Sequence, residues 1–267
     1  MTAMVRLTID HGVATLTLQR PERRNALSRD LVRGLQSGLD ATAADDSVRV
    51  VVLAAEGSTF CAGADLAEVP SPGDDEAAPA PDDEQPSLPQ LLDGVLASML
   101  DHPKPIVGRV EGDVYGGGLG LVAACDLVVA AESVRMAFSE VRLGVVPAAI
   151  APYVLRKVSP TQAARLMLLA EPFSAVVAAD VGLVTEVVAR DAVGAVDARW
   201  CDLLARGGPQ ALAVTKRVLT RVPTMPPHEA RAWASSVSAA AFASQEAAEG
   251  IAAFGARRPA SWVVPTP

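Results

Sequence analysis

The sequence predicts an α/β fold in which a strand-rich core precedes a helical C-terminal region. An apolar strand, a glycine-containing turn and a helix follow one another three times, near residues 48–68, 105–124 and 126–150. From Ser159 onward the pattern is mostly helical. Because 267 residues suit one large core, we predict a core over residues 1–190 and a helical region over residues 191–267.

The first predicted elements are a hairpin and a capped helix. Residues 5–9 and 13–18 alternate apolar and polar side chains on either side of the turn sequence Asp10-His11-Gly12. Ser28 can cap a helix that continues to about Ala43, because a serine oxygen accepts a hydrogen bond from the first turn of a helix.

The last predicted elements are one strand and three Ala-rich helices. The strand candidate covers residues 184–189, and the helices fall at about 191–205, 208–221 and 227–253. Helices this apolar need partners to cover their surfaces.

Composition argues against several classes of protein. The net charge of −8 disfavours binding to nucleic acid through a positive field, and no apolar run approaches the roughly 20 residues of a membrane span. The chain does not start with a basic and apolar leader. Its three cysteines are too few and too scattered for a disulfide framework or a metal motif. We therefore expect a cytoplasmic protein that binds neither membranes nor metal, with three histidines at the surface or in turns: His11, His102 and His228.

Three consecutive glycines, Gly116-Gly117-Gly118, separate a predicted strand at 106–110 from a predicted short helix at 119–126. A ligand can approach the backbone closely where no Cβ stands in the way. The first N–H groups of a helix also favour negative charge. The sequence therefore predicts a site for an anion, or for an oxygen that becomes anionic during a reaction.

A second glycine site follows the predicted strand at 50–55 and contains the sequence FCAGADL over residues 60–66. Its small residues again allow a ligand to approach the backbone. Two such sites can each supply one backbone N–H to the same oxygen, which is the arrangement called an oxyanion hole. One donor of an oxyanion hole contributes roughly 3 kcal/mol of transition-state stabilisation.

The glycine triplet allows two other interpretations. Gly118-x-Gly120-x-x-Ala123 matches the dinucleotide-binding fingerprint, and an acid, Glu140, follows about 20 residues later. That fingerprint normally opens the first unit of its domain, whereas this one lies in the middle of the chain. The glycines are also compatible with close packing between a helix and a strand.

An acidic, proline-rich segment covers residues 70–89. No lysine or arginine occurs between Leu66 and Pro103, whereas six acidic residues and six prolines fall within the segment. Such a composition cannot bury much apolar surface, so we expect a mobile loop. Because the segment directly follows the second glycine site, we expect it near the ligand entrance.

Further motifs extend almost from end to end of the chain: RPERRNAL at 20–27, FCAGADL at 60–66, KP at 104–105, the glycine triplet, CD at 125–126, SEVRLGVVP at 139–147 and GIAAFGARR at 250–258. The order and spacing of these motifs resemble the enoyl-CoA hydratase/isomerase (crotonase) superfamily. The resemblance implies that superfamily's fold, a spiral of ββα units whose C-terminal helices form trimers or dimers of trimers. It also implies activity on acyl-CoA thioesters.

The resemblance assigns the reacting groups. In this superfamily two backbone N–H groups hold the thioester oxygen, and they correspond to Ala64 and Gly117. The best-known hydratases activate one water with two glutamates; the first corresponds to Gly120 and the second to Glu140. Because apolar residues flank Glu140, we expect a raised pKa, which suits proton transfer near neutral pH. The alternative is an outward-facing acid paired with Arg142.

The activity that the resemblance implies is enoyl-CoA hydration, in which water adds to a 2-enoyl-CoA through a thioester enolate. The residues from Ser139 to Tyr153, together with the glycine triplet, are most similar to bacterial methylglutaconyl-type hydratases. Gly120 leaves two alternatives open, a Δ3,Δ2-enoyl-CoA isomerase that uses Glu140 alone and a CoA-thioester-binding protein with weak catalysis. Ala148 argues against dienoyl-CoA isomerases and 3-hydroxyisobutyryl-CoA hydrolases, which have an aspartate at that position.

The resemblance also implies contacts to CoA, which is part of the substrate, and it implies no separate cofactor. Arg24 corresponds to a basic residue near the pantetheine and the phosphates. Phe254 and Arg257 correspond to an aromatic and a basic residue that reach CoA, often from a neighbouring subunit, although Arg257 is equally compatible with an ordinary solvated charge. Three residues belong to the loop that lines the adenine: Ala62, Asp65 and Leu66.

Overall fold

The strands of the described residues form two β-sheets, and the larger has six strands. The structure is a computed structural model that describes residues 4–68 and 86–263. The six strands are, in spatial order, β1 (Val5–Asp10), β2 (Val13–Leu18), β3 (Val50–Ala55), β5 (Ile106–Val110), β7 (Leu127–Ala131) and β10 (Glu186–Val188). The pair β1–β2 is antiparallel, and the strands from β2 to β10 run parallel. Because β3 is buried along most of its length, its sequence is an uninterrupted apolar run.

The smaller sheet has four short strands. In spatial order they are β4 (Thr59–Cys61), β6 (Asp113–Tyr115), β8 (Arg135–Ala137) and β9 (Phe173–Ser174). The strands β4, β6 and β8 are parallel, and β9 is antiparallel to β8. The chain passes three times from the larger sheet to the smaller one, from β3 to β4, from β5 to β6 and from β7 to β8. This repetition agrees with the expected spiral.

Helices cover the sheets and form the C-terminal part of the chain. In the described residues they are α1 (Arg29–Ala44), α2 (Leu88–Asp101), α3 (Gly117–Ala124), α4 (Ala151–Val154), α5 (Pro160–Leu169), α6 (Ala175–Asp180), α7 (Val193–Ala205), α8 (Pro209–Arg221), α9 (Pro227–Phe242) and α10 (Gln245–Gly255).

The predicted elements at both ends of the chain are confirmed, with two differences. The hairpin pairs Val5 with Leu18, and the Ser28 hydroxyl accepts a hydrogen bond from the Leu31 N–H at 3.2 Å. The last strand is shorter than predicted. The final predicted helix is two helices, because the Ser244 hydroxyl accepts a hydrogen bond from the Ala247 N–H and starts α10 as a new helix.

The structure differs from the sequence prediction at several elements in the middle of the chain, where β4, β8 and α2 were not predicted. The prediction missed β6, a strand of three residues between β5 and the glycine triplet. It also placed the start of the following helix at residue 119, whereas α3 begins at Gly117, inside the triplet. Glycine is a poor helix former, so propensity favoured a later start. Of the predicted acidic loop, residues 70–85 lie outside the described residues, and residues 88 and 89 already belong to α2.

The C-terminal helices are attached to the core through buried groups. Helix α7 contributes Val193, Trp200 and Cys201 to the hydrophobic core. The buried Lys216 ammonium on α8 contacts the Asp126 carboxylate at 2.7 Å and donates a hydrogen bond to the Met99 carbonyl oxygen at 2.8 Å. These contacts fix α8 to the C-terminal end of α2 and to the loop that follows α3.

The position of His102 contradicts the prediction that all three histidines lie at the surface or in turns. His11 and His228 are exposed, as predicted, but His102 is buried at the end of α2. Its ring nitrogens contact the Thr42 hydroxyl and the Leu39 carbonyl oxygen at 3.2 Å and the Lys104 carbonyl oxygen at 3.1 Å. Burial lowers the pKa of this imidazole.

None of the helices described over 4–68 and 86–263 is long and apolar enough to cross a membrane.

Candidate active site

The smaller sheet brings three loops to one edge. Strands β4, β6 and β8 are parallel neighbours, so their C-terminal ends lie on the same side of the sheet. Ala62-Gly63-Ala64 follows β4, Gly116-Gly117 follows β6, and Ser139-Glu140 follows β8. The topology therefore collects the two glycine sites and the predicted acid in one place.

The two glycine sites are in direct contact. Gly63 has a φ of 85°, and a Cβ built on it would lie 3.2 Å from the Tyr115 carbonyl oxygen and 3.6 Å from the Gly117 nitrogen. A larger residue at position 63 would be strained by its backbone conformation and crowded by the second loop. Glycine at this position therefore allows the two loops to approach each other.

The N–H of Ala64 is available to a ligand. The Leu27 N–H donates to the Gly63 carbonyl oxygen at 2.7 Å, and the Asp65 N–H donates to the Leu27 carbonyl oxygen at 2.9 Å. This is a parallel β-bridge centred on Ala64, in which the N–H of the central residue points away from the partner strand. The Ala64 N–H has no hydrogen-bond acceptor within residues 4–68 and 86–263.

The Gly117 N–H is the first of helix α3 and has no acceptor inside the helix. The preceding residue, Gly116, has a φ of 49° and donates its own N–H to the Ala137 carbonyl oxygen at 3.0 Å. Gly118 is a packing position, because a Cβ built there would lie 2.7 Å from the Cys61 Cβ. The packing interpretation of the triplet thus holds for Gly118, whereas Gly117 presents a backbone donor.

The Glu140 side chain points toward the glycine triplet. Its Oε1 lies 3.4 Å from a Cβ built on Gly116. Its Oε2 is buried and has no hydrogen-bond partner in the described part of the chain. The alternative of an outward-facing acid paired with Arg142 is wrong, since the ion pairs found among the described residues do not include these two side chains. Burial raises the pKa of Glu140, which agrees with the direction predicted from its apolar neighbours.

We expect the E140Q variant to melt at a higher temperature than the unmodified protein in the neutral pH range. Ionising a carboxyl whose folded-state pKa is raised costs folding free energy, and glutamine avoids this cost. The stabilisation from protonated Glu140 is fully present below the pKa of the unfolded chain and is lost as the pH rises through the raised pKa. The difference in melting temperature should therefore shrink toward zero at acid pH.

Calorimetry across the pH range measures this effect. The E132Q variant is the matched control, because Glu132 is exposed, and we expect its melting temperature to follow that of the unmodified protein. A melting-temperature difference for E140Q that does not change with pH would contradict the expectation.

The predicted CoA-contact residues near the site occupy one loop region. The Ala62 N–H donates to the Arg24 carbonyl oxygen at 3.0 Å, and the side chains of Arg24 and Leu66 are exposed. Asp65 is buried, and its carboxylate accepts a hydrogen bond from the Arg20 guanidinium at 2.6 Å. The Asp65 side chain therefore holds the loop in place.

Asn25 is a structural residue of this region for which the sequence analysis gave no role. Its amide donates to the carbonyl oxygens of Glu56 and Thr59 at 2.8 Å, and its Oδ1 accepts a hydrogen bond from the Arg20 N–H at 2.8 Å. Asn25 is fully buried and has a φ of 51°. A buried amide with all three of these bonds fixes the turn that carries Arg24. Its place in the motif RPERRNAL was the available signal.

Phe254 and Arg257 lie elsewhere, at the end of α10. Phe254 is 87% exposed, and Arg257 is exposed with a φ of 52°. The neighbouring Arg258 pairs with Glu249 at 2.7 Å. Within this chain the structure does not bring Phe254 or Arg257 to the loops that carry Ala64, Gly117 and Glu140.

The chain belongs to the enoyl-CoA hydratase/isomerase family, whose sequence model matches residues 8–264. It is 31% identical to 2,3-dehydroadipyl-CoA hydratase of Escherichia coli, over 91% of each chain. It is 28% identical to the mitochondrial methylglutaconyl-CoA hydratase of Mus musculus, over 94% of this chain and 79% of the other. The crystal structure of an enoyl-CoA hydratase of Mycobacterium smegmatis superposes with a TM-score of 0.88 at 32% identity, covering 98% of this chain and 99% of that one.

Family membership confirms the crotonase fold and an enzyme class that acts on acyl-CoA thioesters. It also overturns the dinucleotide interpretation of the glycine triplet. In the structure, helix α3 follows a strand of the smaller sheet, and Gly118 packs against Cys61.

Proposed function

We propose that this protein is an enoyl-CoA hydratase that adds water to a 2-enoyl-CoA. The observation that carries the proposal is the position of Glu140, whose Oε2 is buried and whose carboxyl lies beside the turn with the available Gly117 N–H. The Ala64 N–H, on the loop packed against that turn, supplies the second donor of an oxyanion hole. Hydratase relatives support the assignment.

The proposed reaction uses Glu140 twice. The ionised carboxylate accepts a proton from water while the water oxygen attacks C3 of the enoyl group. The electron pair of the double bond moves to the thioester oxygen, and the N–H groups of Ala64 and Gly117 stabilise the resulting enolate. The enolate then collapses as C2 takes the proton from Glu140, which returns to its ionised form.

A single-carboxyl site also favours a second candidate, Δ3,Δ2-enoyl-CoA isomerisation. Gly120 leaves no side chain at the position of the first glutamate of two-glutamate hydratases. In the isomerase, Glu140 removes a proton from C2 of a 3-enoyl-CoA and returns it to C4. This reaction has the same enolate intermediate and needs no activated water.

We propose that the CoA body contacts Arg24 and the loop of Ala62, Asp65 and Leu66. The exposed Phe254 and Arg257 suit contact with CoA bound to a neighbouring subunit of a trimer or of a dimer of trimers. Sedimentation of the purified chain, with and without acetoacetyl-CoA, tests this assembly.

Reactions in D₂O test the proposed function and separate its two forms. We expect crotonyl-CoA to be converted to a 3-hydroxyacyl-CoA that carries one deuterium at C2. An isomerase would convert 3-enoyl-CoA to 2-enoyl-CoA without net hydration. If the protein binds both thioesters and consumes neither, the proposal is wrong and the chain is a CoA-thioester-binding protein.

A further inference from the structure

The space beside Gly120 is already filled. Gly120 is buried and lies three residues after Gly117, on the same face of α3. A Cβ built on it would lie 2.5 Å from the Ile150 Cγ2 and 3.0 Å from the Leu96 Cδ1. Carbon atoms in contact are normally separated by about 3.5–4.0 Å. Even one added methyl group at position 120 therefore needs its neighbours to move.

Ile150 is held firmly where it lies. It is 2% exposed and immediately precedes α4. Three residues later, the Tyr153 hydroxyl donates to the Asp93 carboxylate at 2.8 Å and to the Asp93 carbonyl oxygen at 3.0 Å. Asp93 lies on α2, the helix that also carries Leu96. Ile150 and Leu96 are therefore fixed relative to each other.

The apolar surroundings continue to the available backbone donor. A Cβ built on Gly117 would lie 2.8 Å from the Leu27 Cδ1 and 3.1 Å from the Leu92 Cδ2. The Cβ positions of Gly117 and Gly120 are thus in contact with four aliphatic side chains, and the Glu140 carboxyl lies next to Gly116. The four side chains are those of Leu27, Leu92, Leu96 and Ile150.

We infer that Ile150 is a specificity-determining residue that restricts this site to one carboxyl. Its side chain occupies the volume into which a side chain at position 120 would extend. A water molecule in the site can then be activated from the Glu140 side alone, so Glu140 must both accept and return the proton. The inference rests on the proposed function and adds a physical reason for the single acid.

The test compares G120E, I150A and the double variant G120E/I150A, with G94E as the matched control. A Cβ built on Gly94, which lies on the exposed face of α2, meets nothing within 4 Å. We expect G120E to lower the melting temperature while G94E does not, since overpacking is destabilising. In the double variant we expect the loss to be partly recovered. We also expect the double variant to hydrate crotonyl-CoA at least about tenfold faster than I150A does. This gain is smaller than the 10²–10⁴-fold effect of a fully positioned acid or base.

Two outcomes of this first comparison would overturn the inference. One is a G120E variant that melts like G94E and hydrates as fast as the double variant. The other is a double variant that binds acetoacetyl-CoA and hydrates no faster than I150A. If the double variant does not fold, G120A and G120A/I150A test the same contact. The inference is also overturned if G120A lowers the melting temperature and adding I150A does not reduce this loss. Failure of the proposed function is distinct, because it appears in the unmodified protein as binding of enoyl-CoA thioesters without turnover.

Discussion

Replacing Glu140 by glutamine is expected to lower kcat by roughly 10²–10⁴-fold, which is the usual contribution of a positioned acid or base. Glutamine keeps the size and shape of the side chain but cannot accept the proton. The donors proposed for the thioester oxygen are backbone groups of Ala64 and Gly117, which the substitution leaves in place. The affinity for acetoacetyl-CoA should therefore change little, so that the loss falls on kcat. Steady-state kinetics and isothermal titration measure the two quantities.

The pH dependence of kcat/KM distinguishes a catalytic role of Glu140 from a merely structural one. In the proposed reaction Glu140 must start ionised, so kcat/KM should rise with pH through a pKa that burial has raised. The residual activity of E140Q should lack this step, and E132Q, at an exposed position, should keep both the rate and the profile. Full activity of E140Q on the best substrate would show that another group is the acid.

The strand-and-helix order of the core and the two glycine sites could be predicted from local patterns, whereas the place of Glu140 beside them was predicted from the resemblance to the superfamily. Apolar strands followed by glycine turns recur along the chain, and each glycine site marks the end of a strand. Parallel strands place such ends at one edge. The structure brings the loops that carry Ala64, Gly117 and Glu140 together, although these residues are far apart in the sequence.

What the sequence did not show depends on partners that only the tertiary structure brings together. Arg20 pairs with Asp65 across 45 positions, and nothing near either residue indicates this pairing. His102 is enclosed by α1 and by Lys104, whereas its own segment resembles a surface turn. In the same way, Gly120 was recognised as the position of a missing acid, but Ile150, 30 positions later, fills the space. Sequence periodicity indicates which face of an element is buried and does not identify the group that covers it.

Replacing Gly117 by proline is expected to lower kcat by about 10²–10³-fold relative to G117A, because proline removes the backbone N–H that is proposed to stabilise the enolate. Proline suits the first position of a helix, where the N–H has no intrahelical acceptor. The ψ of −122° at Gly116 lies outside the α region that a following proline disfavours. The substitution thus removes a donor from a position whose backbone accepts proline.

The G117A variant is the control for the Cβ that both substitutions add. Both variants place a Cβ near the Leu27 Cδ1 and the Leu92 Cδ2, which are the far ends of flexible side chains. Both should therefore show similar losses in melting temperature, while G117A keeps the N–H and most of the activity. Glu140 remains in place in both, so the step in the pH profile should persist at the lower rate of G117P. Equal kcat values for G117P and G117A, at equal acetoacetyl-CoA affinity, would mean that the Gly117 N–H does not stabilise the transition state, and the assignment of this donor would be wrong.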